Sequence, residues 1–211
     1  MKRYERNVTS QSGEDGVLEH ILGVIGDGGK AAVEFGSKDG VALSNTYRLE
    51  RDAGWRRWLF DGDSGGNPLV HQVYLTAENI NEAFDKAGVP EVVDVLSIDV
   101  DGNDLWLWRA LSRRARVVVI EYNAAIQPGQ NISIQYNPNH RWDGSTYHGA
   151  SLGALWIVGR QKGMRLVHAT PLNAFFVAEA EAGAFPAIAP VWKRNCGHRP
   201  CAKTLPWVEV S

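Results

Sequence analysis

AAVEFGSKDGVALSNT, residues 31–46, joins an apolar run to a turn with two glycines and then to a sequence that can cap a helix. The apolar run reaches Glu34 and Phe35, and Gly36 and Gly40 follow it. The residues at positions 44–46 are Ser, Asn and Thr, types that cap helix N-termini. A strand, a glycine turn and a helix in this order open the nucleotide-binding domains of α/β proteins. This stretch therefore predicts such a domain.

The chemistry of the turn indicates which ligand it binds. Its pattern is E-x-G-x-x-x-G, whereas dinucleotide-binding turns carry G-x-G-x-x-G. Phosphate prefers bare backbone N–H groups, so the carboxylate of Glu34 at the strand end disfavours a pyrophosphate. A ligand with an ammonium group and a ribose suits the turn better. We therefore predict S-adenosylmethionine (SAM) as the cofactor, and a nicotinamide dehydrogenase is disfavoured.

The hydrophobic pattern of the whole chain indicates five β–α alternations followed by a hairpin. Helices are predicted at residues 13–22, 44–52, 79–87, 103–111 and 149–162, and strands at 31–35, 55–61, 71–76, 92–101, 116–121, 164–169 and 173–178. The β-branched runs at 92–101 and 116–121 are typical of strands buried on both faces of a parallel sheet. We predict a Rossmann-like class I methyltransferase fold of the α/β class. It would have a mostly parallel seven-stranded sheet, helices on both faces and a C-terminal antiparallel hairpin.

The chain is expected to form a single domain over residues 1–211, because its length suffices for one full core. The polar insertion at 124–147 is too long for an idle connection and is predicted to be a lid or binding loop. Residues 186–211 are a C-terminal tail in which Cys196 and Cys201 flank His198. This group lacks a fourth zinc ligand, so two reduced thiols are the preferred interpretation.

Composition narrows the classes of partner. The net charge is −2, and 22% of the residues are charged. The sequence lacks the basic face that a nucleic-acid-binding protein of this size usually has, so nucleic acid is not expected as a partner. No apolar run approaches the ~20 residues needed to cross a bilayer, and residues 1–6 lead into no signal-peptide core. A soluble, cytoplasmic protein with a small-molecule substrate is expected. The sequence leaves the oligomeric state open, with a homodimer as one alternative.

Acidic side chains stand at the predicted carboxyl ends of five consecutive strands, where open parallel sheets bind ligands. The residues predicted to bind SAM are Glu34, Gly36, Ser37, Asp39, Asn45, Asp61, Glu78, Asn79 and Asp99. Asp61 is placed for the ribose diol, and Glu78 or Asn79 for the edge of the adenine. Two alternatives stay open: Asp39 can simply stabilise the turn, and Asp61 can be a surface loop residue.

Two pairs of polar residues predict the catalytic centre. Asp99 and Asp101 are two positions apart, as are Glu121 and Asn123, so each pair would point the same way from an extended strand. These four oxygen donors are a candidate Mg²⁺ site. The alternative is that residues 101–103 only cap the following helix. Without a metal, Asp99, Asp101 and Glu121 remain candidate catalytic bases, and His148 can deprotonate a hydroxyl near neutral pH.

Several motifs resemble the FkbM-like class I methyltransferases. They are SQSGEDGVLEHIL (10–22), VEFGSKDGVALSNT (33–46), VDVLSIDVDGNDLWLWRAL (93–111) and VVVIEYN (117–123), and YHGASLGAL and NAFFV continue the resemblance to about residue 178. The resemblance implies a Rossmann-like fold and SAM-dependent methylation, commonly of a hydroxyl on a small metabolite or sugar. Lys38 departs from the family by standing where a glycine is usual, and D-V-D-G at 99–102 replaces the frequent D-x-E-G.

Two other functions stay open at this point. One is an enzyme that cyclises or cleaves SAM instead of transferring its methyl group. The other is a domain that binds SAM without catalysis.

Overall fold

The computed structural model describes residues 1–190 and 205–211 and contains one large mixed sheet. The spatial order of its strands is β3-β2-β1-β4-β5-β8-β7. Their bounds are β1 Ala31–Phe35, β2 Arg56–Asp61, β3 Val70–Gln72, β4 Val92–Ile98, β5 Arg114–Glu121, β7 Met164–Ala169 and β8 Asn173–Ala178. Strands β1 to β5 are parallel, whereas β8 runs antiparallel to β5 and to β7. The predicted Rossmann-like methyltransferase topology is confirmed.

Side-chain alternation along the strands builds a core on each face of the sheet. Val33, Phe35 and Leu96 belong to one buried cluster, whereas Ala32 and Val95 belong to the other. The helices α3 Ile80–Ala87, α4 Asp104–Ala110 and α5 Leu152–Gln161 pack on the first face, and α1 Glu14–Ile25 packs on the second, near α2 Tyr47–Ala53. Both faces are therefore covered, as the apolar runs at 92–101 and 116–121 indicate.

Several element boundaries differ from the predicted ones for identifiable reasons. Helix α2 begins at Tyr47 because Ser44 accepts hydrogen bonds from the backbone N–H groups of residues 46 and 47. Strand β4 ends at Ile98, and Asp101 has a left-handed φ of 54°, so the chain is no longer extended there. Strand β3 has only three residues and ends at Gln72, four residues before the predicted end at position 76.

The insertion and the tail meet in a second small sheet. Strand β6, Ile132–Ile134, pairs antiparallel with β9, Trp207–Glu209. Cys196, His198 and Cys201 lie outside the described residues, so the interpretation of reduced thiols stays a prediction. Within the described part of the chain, no helix has the length and apolar character to cross a membrane.

Candidate active site at the carboxyl ends of the strands

A cavity of about 460 Å³ opens beyond the carboxyl ends of β1, β2 and β4. The strand order reverses between β1 and β4, and open α/β sheets bind ligands at such a reversal. The predicted site residues Gly36, Asp39, Asp61, Asp99 and Asp101 line it. The other lining residues are Phe35, Lys38, Ala42, Phe60, Gly62, Asp63, Gly65, Val73, Tyr74, Leu75, Val100 and Asn103. Five of the predicted site residues therefore meet at this cavity.

Glu34 lies behind the glycine turn and does not line the cavity. Its carboxylate is buried and accepts hydrogen bonds from the Ser44 hydroxyl at 2.5 Å, the Asn45 backbone N–H at 2.8 Å and the Thr46 hydroxyl at 2.6 Å. The Asn45 side chain points to the Ser97 hydroxyl at 3.0 Å. The structure therefore gives Glu34 and Asn45, both expected at the cofactor, the task of fixing the turn to helix α2.

Ser37 also lies outside the cavity lining, since its buried hydroxyl contacts the carbonyl oxygen of Phe60 at 3.4 Å. Asp39 accepts hydrogen bonds from the N–H groups of Val41 and Ala42, both at 2.9 Å. The hydrogen bonds from Val41 and Ala42 lower the pKa of the Asp39 carboxyl. Asp39 thus stabilises the turn, which is one of the two alternatives, while one edge of it still lines the cavity.

Asp61 ends β2 and lines the cavity. One carboxylate oxygen accepts the backbone N–H of Lys38 at 2.6 Å and the other accepts that of Asp63 at 2.8 Å. Each oxygen retains a further lone pair, because an ionised carboxylate offers about four acceptor sites. Asp61 is therefore held in place by the backbone and can still accept from a ligand.

Glu78 and Asn79 do not line the cavity, contrary to their expected position beside the adenine. Glu78 is exposed and accepts the Tyr136 hydroxyl at 2.5 Å. Asn79 donates to the carbonyl oxygen of Tyr74 at 2.9 Å and accepts the N–H of Thr76 at 2.8 Å. The lining side chains come instead from residues 73–75, because β3 ends early and the chain turns into the cavity there.

Asp99, Asp101 and Glu121 form what we call the floor cluster. One carboxylate oxygen of each lies within 4.8 Å of the other two. Asp99 and Asp101 follow β4, Glu121 ends the neighbouring β5, and the left-handed backbone at Asp101 folds its side chain back toward them. In the described part of the chain none of the three carboxyl groups accepts a hydrogen bond. The sequence predicted this proximity, but through an extended spacing that the structure does not have.

The surroundings of the floor cluster favour its protonated forms. Burial raises the pKa of Asp99 well above its ordinary value, and the nearby carboxylates of Asp104 and Asp101 raise it further. Burial and then the charge of Asp99 raise the pKa of Glu121 in the same way. Burial also raises the pKa of Asp104 to about 6, although this carboxylate accepts the N–H groups of Val100 at 2.8 Å and residue 102 at 2.9 Å. The cluster therefore favours a proton or a cation.

The side chain of Asn123, the fourth predicted metal ligand, is bound by backbone groups. Its amide N–H₂ donates to the carbonyl oxygens of Thr146 at 2.9 Å and His148 at 2.8 Å, and its oxygen accepts the N–H of Ala125 at 2.9 Å. Asn103 lines the cavity instead, and its amide N–H₂ donates to the carbonyl oxygen of Asn137 at 2.8 Å. From the sequence, Asn103 was expected only to cap a helix. Its contact with Asn137 could not be predicted, because no local pattern shows where the insertion runs.

His148 approaches the floor cluster from the end of the insertion. Its ring is buried, and Nδ1 lies 3.8 Å from a carboxylate oxygen of Glu121. The Trp142 ring is tilted against it with the ring centres 5.7 Å apart. The structure therefore brings His148 and Glu121 together, and their catalytic role stays a prediction.

The insertion also covers the cavity edge with residues that the sequence analysis did not select. His140 packs on residue 102 so closely that any side chain there would overlap the imidazole. The Tyr74 hydroxyl donates to the carbonyl oxygen of His140 at 2.5 Å, and the Trp106 indole donates to that of Ile134 at 2.9 Å. These contacts place parts of the insertion against Tyr74 and α4, and its role as a lid or binding loop over 124–147 stays a prediction.

No model of a protein family matches the chain, and no curated protein matches its sequence. The chain is similar to a solved structure of the N-terminal domain of EvdMO1 in the presence of SAH and D-fucose, with 12% identity, a TM-score of 0.48, and coverage of 82% of this chain and 85% of that chain. It is also similar to a SAM-dependent methyltransferase from Aquifex aeolicus, with 13% identity, a TM-score of 0.37, and coverage of 76% and 88%. Membership of the FkbM-like family stays a prediction.

Proposed function

We propose that this protein is a SAM-dependent methyltransferase that acts on a hydroxyl group of a small molecule. The observation that carries the proposal is the cavity at the strand-order reversal, which is lined by Asp61 and by Asp99 and Asp101 of the floor cluster. Ligands of open α/β sheets bind at this place. The FkbM-like motifs around Gly36 and Asp99 support the same function.

In this proposal SAM lies across the ends of β1, β2 and β4. The carboxylate of Asp99 complements the positive charge of SAM, and Asp61 accepts from the ribose diol. Val73, Leu75 and Phe60 offer apolar walls for the adenine. Of the other residues predicted to bind SAM, Glu34, Ser37, Asp39 and Asn45 shape the glycine turn, while Glu78 and Asn79 hold the segment that carries Val73 and Leu75.

The reaction requires an acceptor oxygen in line with the methyl group and a group that removes its proton. The oxygen attacks the methyl carbon, the carbon–sulfur bond breaks with its electron pair passing to sulfur, and S-adenosylhomocysteine leaves. The proton passes to a floor-cluster carboxylate or to His148. Mg²⁺ bound at the floor cluster would lower the pKa of the acceptor hydroxyl and so assist this step.

Calorimetric titration with SAM and analysis of the products test the proposal. SAM at 100 times its dissociation constant should stabilise the fold by about 2.7 kcal/mol, which a melting experiment detects, and NAD should give no shift. With a panel of hydroxyl acceptors, S-adenosylhomocysteine and a methylated acceptor should accumulate in equal amounts. Methylthioadenosine or homoserine derivatives would instead indicate cyclisation or cleavage of SAM, and binding without turnover would indicate a non-catalytic domain.

A further inference from the structure

We propose that Asp99, Asp101, Glu121 and the amide oxygen of Asn103 bind one divalent cation at the base of the cavity. Binding of the cation does not depend on methyl transfer, and only its catalytic use rests on the function proposed above. The ligand set differs from the one that the sequence predicts, because Asn103 takes the place of Asn123.

The first observation is a contrast among the carboxylates at this edge of the sheet. Asp39, Asp61, Asp63 and Asp104 all accept backbone N–H groups, and Glu34 accepts two hydroxyls and one N–H. The three carboxyl groups of the floor cluster accept no hydrogen bond from residues 1–190 or 205–211. Partly buried carboxylates without hydrogen-bond donors are costly when they are charged, and the His148 ring beside Glu121 offers at most one positive charge, so the cluster favours further protons or a cation.

The second observation is the spacing of the cluster. Its three carboxylate oxygens lie within 4.8 Å of one another. Metal–oxygen distances of about 2.1 Å for Mg²⁺ place two neighbouring ligands roughly 3.0 Å apart and two opposite ligands roughly 4.2 Å apart. Oxygens no more than 4.8 Å apart need only small side-chain adjustments to reach these separations around one ion.

The third observation is independent of the acidic residues. Asn103 is 4% exposed, lines the same cavity as Asp99 and Asp101, and has an amide oxygen with no hydrogen-bond partner in the described part of the chain. The amide is oriented by its N–H₂ group, which donates to Asn137 at 2.8 Å. An amide oxygen is a ligand that Mg²⁺, Mn²⁺ and Ca²⁺ accept. A buried and oriented amide oxygen without a hydrogen-bond partner, on a residue that lines the same cavity as Asp99 and Asp101, favours a cation over protons, which would leave the amide oxygen without a partner.

The competing cation is the ammonium group of Lys38, the one basic side chain among the described residues that line the cavity. It donates no hydrogen bond to any floor-cluster carboxylate in the described structure, and a single positive charge cannot balance three negative ones. If a divalent ion binds there, Lys38 repels it. Lys38→Met should therefore strengthen binding of the ion, whereas it should leave affinity unchanged if ions bind elsewhere.

The test uses Mn²⁺ alone, added to the EDTA-treated full chain and followed by the electron paramagnetic resonance signal of free Mn²⁺. We expect one ion per chain, and at least about tenfold weaker binding in Asp101→Asn and in Glu121→Gln, because each loses a charged ligand. Asn tolerates the left-handed backbone at position 101, so that variant should fold. Asn103→Ala should weaken binding severalfold. Melting curves in EDTA establish that each variant is folded.

Asp63→Asn is the matched control, since Asp63 lines the same cavity but accepts the N–H of Gly65 at 3.0 Å. It should bind Mn²⁺ as the wild type does. The proposal is overturned if the wild type binds no Mn²⁺ at millimolar concentration, or if Asp101→Asn and Glu121→Gln bind it as tightly as Asp63→Asn does. Titration with SAM in EDTA is a separate measurement, so a failure of the proposed function would not be mistaken for a failure of the metal site.

Discussion

The α-carbon of Gly36 faces the backbone carbonyl oxygen of Asp99 so closely that a side chain at position 36 would overlap it. Gly36 also has a left-handed φ of 76°. The pair joins the turn after β1 to the chain leaving β4, on the two sides of the strand-order reversal. Glycine is needed here because two backbones approach each other, whether or not a ligand does so as well.

Gly36→Ala should destabilise the protein more than the same change at a glycine that has a left-handed φ but no atom close to its α-carbon. Gly54 is the control, with φ of 68° and no atom near the position of an added methyl group. Gly54→Ala should cost about 1–2 kcal/mol from left-handed strain, and Gly36→Ala about 1–3 kcal/mol more from the overlap. Urea unfolding measures both, and equal losses would contradict the close approach.

Glu34→Gln should lower the free energy of unfolding by about 2–3 kcal/mol, because the amide cannot accept all three donors that the carboxylate satisfies. Glu82→Gln is the matched control, since Glu82 pairs with Lys86 one helical turn away, has a side chain 66% exposed, and should cost less than about 1 kcal/mol. Urea unfolding at neutral pH gives both values. If Glu34→Gln had wild-type stability but lost affinity for SAM, the result would indicate that Glu34 binds the cofactor after all.

Glu34 also illustrates what the sequence could and could not predict. The strand, the turn and the carboxylate at its end were predicted from residues 31–36, and strands 164–169 and 173–178 have their predicted bounds. Which donors reach Glu34 depends on residues 44–46, whose types suit a helix cap equally well. The local sequence pattern therefore predicts correctly that the carboxylate lies at this edge of the sheet, but it does not predict which groups donate hydrogen bonds to it.

The same limit applies to the cavity. Asp99 and Glu121 were placed together because neighbouring parallel strands end at one edge, which is a property of the fold. Tyr74, Asn103 and His140 were missed because their positions depend on the short β3 and on the path of the insertion. Neither feature has a periodic signal in the sequence.

Asp61→Ala should weaken SAM binding by about 1.5–3 kcal/mol if the carboxylate forms charge-assisted hydrogen bonds to the ribose. Asp63→Ala changes a neighbouring carboxylate of the same cavity and should leave the affinity nearly unchanged. Titration calorimetry of both variants measures the difference. Equal affinities in the two variants would remove Asp61 from the ribose site, provided that melting curves show both to be folded.

Asp15 should make stability depend on pH below neutrality. Burial alone would raise the pKa of its carboxyl, but hydrogen bonds from Ser10, Val8 and Thr9 outweigh burial and lower the pKa. The folded pKa is below the unfolded value of about 3.9, so the stabilisation is complete above that value and is lost as pH falls through the folded pKa.

Asp15→Asn should therefore cost about 1–3 kcal/mol at pH 7 and flatten the decline of stability in acid. Asp27→Asn changes an exposed partner of Lys30, 3.6 Å away, and should stay within about 0.5 kcal/mol of the wild type. Urea unfolding between pH 3 and pH 7 distinguishes them. Parallel curves for Asp15→Asn and the wild type would contradict the shifted pKa.

Catalysis should depend on Asp99 and His148 to different extents. Asp99 stands at the base of the cavity without a hydrogen-bond donor in the described chain, so Asp99→Asn should reduce kcat by about 10²–10⁴-fold whether the carboxylate takes the proton or holds an ion. His148 contacts Glu121, so His148→Ala should lower kcat at unchanged SAM affinity only if the imidazole takes part in proton removal.

His71→Ala is the control, because His71 is an exposed histidine stacked on Phe60, and this variant should retain full activity. Single-turnover rates with saturating SAM, measured with EDTA and with Mg²⁺ restored, separate the routes. Turnover that resists EDTA but is lost in Asp99→Asn would assign the proton to the carboxylate without a metal, and full activity in both variants would remove Asp99 and His148 from the mechanism.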